Sequence, residues 1–381
     1  MSGGVDSSVA AALLVKQGYN VTGMFAVNFD TDTRINTDDA DNADASCWLV
    51  DYRDAVRVAA KLGIKLIRWD FQKEYKKLVL DYMFREYRAG RTPNPDVMCN
   101  KFVKFGVWLE RAKKLGFDKL ATGHYASLRE EISNFKFQIS KKYPISNIQY
   151  HLTQAEDKNK DQTYFLHQLS QRQLERVLFP LGDYTKPEVR KLARRFGLPT
   201  AEKEESMGIC FIGEVPMEKF LRTKIKTKPG KIVFSDGRVV GEHNGLPFYT
   251  IGQRAGLEIG NWKLEIREKQ NSNPLFVVGK DIQNNKLIVG YENDSLLYKK
   301  WTIVADVNWI SGHSPKFPLK CKVRLRHRQP LQGGVVTRIR GLHADDADCM
   351  IRFEKPQRAV TPGQFAVFYL SGECLGGGVI V

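Results

Sequence analysis

Signals for buried strands and for amphipathic helices alternate over residues 1–125, and this alternation constrains the fold more than any other feature. Apolar residues from Val9 to Leu14 recur at helical spacing and predict a helix that stops near Gly18. A buried strand is predicted over 21–27, then a helix over 51–62 and a strand over 64–69. Such alternation is typical of an α/β fold, a parallel sheet with helices on both faces that binds ligands at the carboxyl ends of its strands.

Later parts of the chain have a different character. We predict further helices over 71–87, 102–115 and 175–196, and a hairpin insertion over 128–157. After residue 214 the pattern changes to short strands with glycine turns, beginning with a hairpin over 231–240. The sequence therefore predicts a nucleotide-binding catalytic domain over 1–213, a small β-rich domain over 214–274 and a C-terminal β-barrel over 275–381.

Charge and cysteine content narrow the class of protein. The 381 residues carry a formal net charge of +16, which favours a polyanionic partner such as RNA, because neutralised phosphates release counterions. Six cysteines in a chain of this length do not make a disulfide scaffold. Because they form no Cys-x-x-Cys pair, no zinc or iron–sulfur site is expected. We therefore expect no metal site. A membrane span is not expected either, because no apolar run reaches about 18 residues.

The chain opens on a glycine-rich run, Ser2-Gly3-Gly4-Val5-Asp6-Ser7. Glycines allow backbone N–H groups to converge on a phosphate, and the helix that follows adds its positive N-terminal dipole. The run lacks the lysine of the kinase and GTPase loop, and it resembles the pyrophosphate loop of ATP pyrophosphatases. A buried strand normally precedes such a loop, so we interpret Met1 either as an internal methionine of a longer chain or as a mis-chosen start. Without a presequence we expect the bacterial cytoplasm, with a mitochondrial protein as the alternative.

Two cysteines stand in unusual surroundings. Cys99 follows a stretch that contains Pro93 and Pro95, which stiffen the backbone, and Lys101 and Lys104 are expected to favour its thiolate. Cys210 lies between glycines in an apolar run. The remaining cysteines are expected to be small buried apolar residues, and these are Cys47, Cys321, Cys349 and Cys374.

Eight motifs occur in an order that resembles the MnmA family of tRNA-specific 2-thiouridylases along essentially the whole chain. They are Ser2–Ser7, Gly90–Asp96, Cys99–Lys101, Thr122–Tyr125, Lys160–Leu166, Gly208–Gly213, Tyr249–Arg254 and Pro362–Gln364. The resemblance implies a three-domain enzyme that uses ATP, with Mg²⁺, to replace oxygen by sulfur at carbon 2 of the wobble uridine (position 34) in tRNAs for Lys, Glu and Gln.

The resemblance also implies roles for individual residues. It places ATP at Met1, Ser2, Gly3, Gly4, Val5, Asp6, Ser7, Met24 and Gly123, and the target base at Asn94, Pro95 and Asp96. It makes Cys99 the nucleophile and Cys210 the persulfide carrier. Asp96 stands three residues before Cys99, and this position makes it our candidate proton shuttle. It assigns tRNA contacts to His124, Lys160, Asp161, Gln162, Arg326, His327 and Gln364.

The implied chemistry requires partners. A cysteine desulfurase or a sulfur-relay protein must load Cys210, and a reductant must reopen a Cys99–Cys210 disulfide after each turnover. Two routes stay open at this point. Either the terminal persulfide sulfur attacks carbon 2 directly, or Cys99 releases hydrosulfide that attacks it.

A strand with alternating cations is a further candidate for RNA contact. Its cations are Lys320, Lys322, Arg324, Arg326 and Arg328, which period two places on one strand face. Two alternative functions explain part of the sequence. A small-molecule ligase with a pyrophosphate loop would explain Ser2–Ser7 but neither the thiols nor the charge, and a non-catalytic tRNA-binding protein would explain only the charge.

Overall fold

The structure is a computed structural model that describes residues 1–29, 48–132, 148–204, 217–255, 274–339 and 348–381. The N-terminal domain, which is predicted to be catalytic, contains short parallel strand pairs, β1 with β2 and β3 with β6. Its strands are β1 (Thr22–Val27), β2 (Lys65–Asp70), β3 (Leu120–Ala121), β4 (Ser127–Ile132), β5 (Ile148–Thr153) and β6 (Val177–Leu178). The predicted α/β class with a parallel sheet is confirmed.

Helices pack around these strands. They are α1 (Val5–Lys16), α2 (Leu49–Leu62), α3 (Gln72–Tyr75), α4 (Asp81–Arg88), α5 (Pro95–Met98), α6 (Leu109–Lys114), α7 (Thr163–Leu166), α8 (Gln171–Leu174) and α9 (Lys186–Arg195). π-Helical segments, Lys76–Leu80 and Cys99–Trp108, join α3 to α4 and α5 to α6. As predicted, α2 ends at Gly63, which takes the left-handed conformation at φ 65°.

One helix prediction is wrong in part. Residues 175–185 were expected to be helical, but Val177 and Leu178 form β6 and pair with β3. The reason is local, because Pro180 disfavours helical backbone at the residue before it and leaves Val177 and Leu178 to the sheet. Helix α9 then begins as expected with a capping box, in which the Glu188 carboxylate accepts from the backbone N–H and hydroxyl of Thr185.

The middle of the chain forms a separate sheet. This part of the chain begins with helix α10 (Met217–Arg222). The strands of the sheet are β7 (Gly230–Phe234), β8 (Val239–His243), β9 (Arg254–Ala255), β10 (Leu275–Asp281) and β11 (Lys286–Gly290). The strand order is β8-β7-β11-β10-β9, and the predicted hairpin is the β7–β8 pair. Strands β10 and β11, which were expected in the barrel from residue 275 onward, pair in this sheet instead. We therefore propose the boundary between 290 and 298.

The C-terminal domain is a closed barrel. Its strands are β12 (Tyr298–Trp309), β13 (Leu319–Arg324), β14 (Gln332–Arg338), β15 (Cys349–Arg358), β16 (Phe365–Leu370) and β17 (Glu373–Ile380). They follow the order β12-β15-β14-β13-β16-β17, and pairing of β17 with β12 closes the ring. β17 also pairs with β5 through Glu373 and Thr153, so the β4–β5 hairpin extends the barrel sheet.

The catalytic domain and the barrel share one apolar core. A single cluster of buried side chains contains Val97 and Cys99 of the catalytic domain together with Phe365 and Val367 of the barrel. Tyr164 of α7 lies fully buried between them, and its hydroxyl donates to the carbonyl oxygens of Leu325 and Phe365. The barrel therefore packs directly beneath the segment that carries Cys99.

Candidate active site

The glycine-rich run folds as a phosphate loop at the start of α1. Gly3 has φ 73°, and a Cβ there would overlap the backbone of Asp51, so only glycine fits. The hydroxyls of Ser2 and Ser7 lie 3.1 Å apart at the mouth of the loop. The N-cap of α1 is Gly4, and among the described residues no side chain caps this helix end. Its first N–H groups are therefore suited to an anion.

A second wall of this site comes from the loop after β3. A Cβ on Gly123 would lie 2.8 Å from the carbonyl carbon of Asp6 and the nitrogen of Ser7, so glycine allows the two loops to touch. The Asp6 carboxylate accepts from the Tyr125 hydroxyl at 2.9 Å and from Lys186 Nζ at 2.6 Å. Sequence reasoning missed Lys186, because its run Thr185–Glu188 reads only as a helix start.

Met24 lies on the neighbouring strand β1. The amino group of Met1 donates to the carbonyl oxygen of Met24, and Met1 Sδ packs close to Gly23. The structure thus brings together the residues that were predicted to bind ATP, although their binding role itself stays a prediction. Among the described residues, no group of three or more metal-ligating side chains occurs. Mg²⁺ commonly uses one carboxylate and substrate phosphates, and Asp6 fits that limited role.

The segment before Cys99 is short and stiff. Asn94 caps α5, where its Oδ1 accepts from the N–H of Val97 at 3.4 Å, and Pro95 occupies the first turn. Asn94, Pro95 and Asp96 are half-buried, whereas Cys99 is fully buried in the shared core. The predicted target-base residues therefore lie nearer the surface than Cys99, the predicted nucleophile.

Burial raises the pKa of the Cys99 thiol to about 12, with Lys104 opposing the rise and Asp96 adding to it. Lys104 therefore favours the thiolate, as predicted, but burial outweighs its effect in this conformation. Lys101 instead donates from its Nζ to Gln168 Oε1 at 2.8 Å. Cys99 must become less buried before it can react as a thiolate.

Cys210 and its segment 208–213 lie outside the described residues, as does Cys47. The pairing of Cys99 with Cys210 therefore stays a prediction. Cys321, Cys349 and Cys374 are buried, as expected for structural cysteines, and among the described residues they and Cys99 form no disulfide.

The residues predicted to touch tRNA are mostly engaged within the protein. His124 is buried, with its Nδ1 2.8 Å from the Thr122 hydroxyl, and burial lowers its pKa well below the usual value. Gln162 Oε1 accepts from the N–H of Tyr125 at 3.0 Å. Lys160 is half-buried at a turn in which its N–H donates to Asp157. Their contact with RNA remains a prediction.

Asp161 forms a buried ion pair with the barrel. Its Oδ2 lies 2.8 Å from Arg324 Nη1, and the side chains of Asp161 and Arg324 are 0% and 7% exposed. Gln154 donates to the same oxygen, and Thr163 donates to Oδ1 through both its N–H and its hydroxyl. This network joins the catalytic domain to β13.

The prediction that the cations of residues 320–328 share one strand face is wrong in part. Strand β13 ends at Arg324, whose side chain points inward to Asp161. Arg326 donates to the carbonyl oxygens of Ile251 and Ala359 and to the Thr361 hydroxyl. Only Lys320 and Lys322 are exposed on the strand. Distant carboxylate and carbonyl acceptors, which the local pattern does not reveal, hold Arg324 and Arg326 inward, whereas Arg328 is exposed.

His327 lies beside these arginines and is half-buried. Its ring centroid is 4.5 Å from that of Phe165, and burial lowers its pKa to about 4, with Arg328 and Arg324 adding to the effect. The ring is therefore neutral near pH 7, and it can stack on a base but cannot neutralise a phosphate.

Two exposed cations, with Trp301 and Val335, instead form a row across four barrel strands. Trp301, Arg352, Val335 and Lys320 are direct cross-strand partners, so their side chains share one face. We call this set the Trp301 row. Neighbours Thr302, Ile351 and Val336 are buried, so the row faces outward, and Trp301 is 56% exposed. Within the part of the chain that the structure describes, neither Lys320 nor Arg352 has an ion-pair partner.

Comparison with known proteins agrees with this architecture. Family models match residues 1–214 (tRNA methyl transferase HUP domain), 218–291 (tRNA methyl transferase PRC-barrel domain) and 299–380 (Aminomethyltransferase beta-barrel domain). A tRNA-specific 2-thiouridylase MnmA of Methylobacillus flagellatus is 46% identical over 381 residues, which cover all of this chain and 97% of the relative. The chain belongs to the MnmA family of tRNA-specific 2-thiouridylases.

Further MnmA relatives support the assignment. MnmA of Limosilactobacillus reuteri is 44% identical over 385 residues, and MnmA of Geobacillus thermodenitrificans is 44% identical over 382 residues. Each alignment covers all of this chain and 93% of the relative. The family resemblance inferred from the motifs is thereby confirmed. None of the helices that the structure describes has the length and apolar composition of a membrane-spanning segment.

Proposed function

We propose that the protein catalyses the ATP-dependent 2-thiolation of the wobble uridine, position 34, in tRNAs for Lys, Glu and Gln. The observation that carries this proposal is the phosphate loop at α1, closed by Gly123, in a chain that belongs throughout to the MnmA family. A uracil carbonyl oxygen is a poor leaving group, and transfer of AMP to it turns it into a good one. ATP, bound together with Mg²⁺, would supply the AMP, and its other two phosphates would be released as pyrophosphate.

The sulfur atom reaches the uridine through the two cysteines. A desulfurase or relay protein places a terminal sulfur on Cys210 as a persulfide. That sulfur attacks carbon 2 of the uridine, and AMP leaves with the original oxygen. Cys99, deprotonated with the aid of Asp96, attacks the Cys210 sulfur and releases the base as 2-thiouridine, which leaves a Cys99–Cys210 disulfide. A thiol reductant, through two electrons and two protons, restores both cysteines for the next cycle. In the alternative order, Cys99 first releases hydrosulfide, which then attacks carbon 2. Both orders give 2-thiouridine, AMP and the Cys99–Cys210 disulfide.

The Trp301 row supports RNA as the substrate. It presents an exposed indole beside Arg352, with Lys320 further along the same face. Aromatic rings stack on bases, and Lys and Arg neutralise phosphates. The target uridine must also leave its stack to reach a buried cysteine. We propose that the barrel binds tRNA, that Lys160 and His327 lie near the RNA in the complex, and that the enzyme works in the cytoplasm.

Reconstitution with ATP, Mg²⁺, tRNA, a persulfide-generating desulfurase and a thiol tests the proposal, with 2-thiouridine measured by mass spectrometry. Cys99→Ala and Cys210→Ala should each abolish the product, and Cys321→Ala, at a buried barrel cysteine, should retain it. Full activity in either of the first two variants would remove the mechanism. ATP–pyrophosphate exchange that depends on a small acid instead of tRNA would favour the ligase alternative.

Binding should also follow the charge of the barrel face. A Lys320→Ala/Arg352→Ala variant should flatten the salt dependence of tRNA binding by about 0.7–0.9 for each phosphate that is no longer neutralised. An Arg238→Ala/Lys286→Ala variant of the middle domain removes the same charge elsewhere and serves as the matched control. An unchanged slope in the first variant would show that the Trp301 row does not dock RNA.

A further inference from the structure

Three distant parts of the chain meet at residues 90–93, directly before the segment that leads to Cys99. From the middle domain, Lys280 Nζ donates to the carbonyl oxygen of Gly90 at 3.0 Å, and the hydroxyls of Thr250 and Thr92 lie 3.3 Å apart. From the barrel, the carbonyl oxygen of Pro362 accepts from the N–H of Thr92 at 3.0 Å. We call this meeting point the junction. It joins motifs Tyr249–Arg254 and Pro362–Gln364, for which the proposed chemistry has no use.

Gln364 makes the most specific contact of the junction. Its Nε2 donates to the carbonyl oxygens of Thr92 and Pro93, at 2.9 and 3.2 Å. A side-chain amide has two N–H groups, so these two bonds use its full donor capacity. Its neighbour Gly363 lies so close that a Cβ would be 3.0 Å from the side chain of Arg91.

The contacted segment transmits its position to the reacting thiol. Pro93 and Pro95 fix two backbone angles, and Asn94 between them caps α5, so little freedom remains between the junction and Cys99. A shift of the carbonyls at 92 and 93 therefore moves the target-base residues and the cysteine together. Misplacement of reacting groups by about 1 Å can cost on the order of a hundredfold in rate.

We propose that Gln364 is a positioning residue: its amide holds the carbonyls of Thr92 and Pro93 and thereby sets the position of Asn94, Asp96 and Cys99. This assignment differs from a direct tRNA contact, because both amide N–H groups are already used within the protein. The proposal rests on the proposed function only where kcat for thiolation is the measurement. The exposure of Cys99, measured by alkylation, reports the same positioning without any reaction.

Gln364→Glu is the sharpest perturbation, because it keeps the shape but places carboxylate oxygens against two carbonyl oxygens. Gln364→Met removes the donors without adding charge. Both variants should lower kcat for thiolation by about tenfold or more, while the Kd for tRNA stays within about threefold of wild type. The Cys99 peptide, followed by mass spectrometry with iodoacetamide in the absence of ATP and tRNA, should be alkylated at least about fivefold faster.

Matched variants separate the explanations. Gln332→Glu makes the same charge change on β14 outside the junction and should leave kcat and alkylation at wild-type values. Thr250→Val removes the hydroxyl contact to Thr92 and should lower kcat in the same direction but by less. Thermal unfolding midpoints of all variants are compared, and the conclusion is drawn from those that fold.

The outcomes are distinct. A raised Kd for tRNA with unchanged kcat and unchanged alkylation would overturn the proposal in favour of a direct RNA contact. Unchanged values in all three measurements would also overturn it. A wild-type enzyme that fails to thiolate tRNA would refute the proposed function instead, and the alkylation rates of the Gln364 variants would still decide whether this residue positions Cys99.

Discussion

The buried pair of Asp161 and Arg324 offers a stability test whose magnitude follows from the structure. Asp161→Asn keeps the Oδ1 acceptor for Thr163 but turns an –NH₂ group toward Arg324 Nη1, which lies 2.8 Å from Oδ2 in the wild type. The guanidinium would remain buried without its carboxylate, and its Nε would still donate to the Gln329 carbonyl oxygen at 3.1 Å. Removal of one partner from such a pair costs about 3–5 kcal/mol.

Urea unfolding, followed by circular dichroism and tryptophan fluorescence, measures this loss as a lower midpoint. Glu218→Gln, in the exposed pair of Glu218 with Arg222, is the matched acid-to-amide control and should shift the unfolding free energy by less than about 1 kcal/mol. Replacing both partners, as Asp161→Leu with Arg324→Met, should recover part of the loss, because no unpaired charge remains buried. A loss below about 1 kcal/mol in Asp161→Asn would refute the view that this pair ties the domains together.

Two further predictions concern the candidate active site. Gly123→Ala should raise the KM for ATP about tenfold or more, since its Cβ would press on the backbone of Asp6 and Ser7. Gly116→Ala, whose Cβ meets nothing within 4 Å, is the control and should leave that KM unchanged. Equal effects of the two substitutions on the KM would contradict a contact mechanism. Alkylation of Cys99 in the wild type should accelerate about tenfold per pH unit from about pH 7 to 10, because burial holds its pKa near 12 and thiolate rises throughout this range. A plateau near pH 8, measured on the Cys99 peptide against a small free thiol, would mean that the lysines do hold a thiolate.

Local patterns in the sequence predicted much of the fold and of the phosphate site. Helix α1 and its loop depend on neighbouring residues, and the β7–β8 hairpin follows from its Ser235-Asp236-Gly237 turn. Features fixed by distant partners were not readable. Arg324 alternates with apolar residues as a solvated cation would, and only the fold reveals the carboxylate of Asp161 beside it.

The candidate active site shows the same contrast between features set by neighbouring residues and features set by distant ones. Gly123 could be assigned from a motif, whereas the roles of Lys186 and of the Gln364 contacts depend on which loops meet. The acidity of Cys99 was predicted from adjacent lysines, yet the dominant effect is exclusion of water by a core that barrel residues complete. Local charge is visible in a sequence, and desolvation is not.

The common core of Val97, Cys99, Phe365 and Val367 has a consequence for how this protein is made and handled. An N-terminal domain produced by itself would expose that apolar surface to water. We expect it to aggregate, so its behaviour would not represent that of the whole enzyme. Melting of the two parts should also coincide in one transition. Dissection into fragments is therefore a poor route to its mechanism, and point variants in the intact chain are the better one.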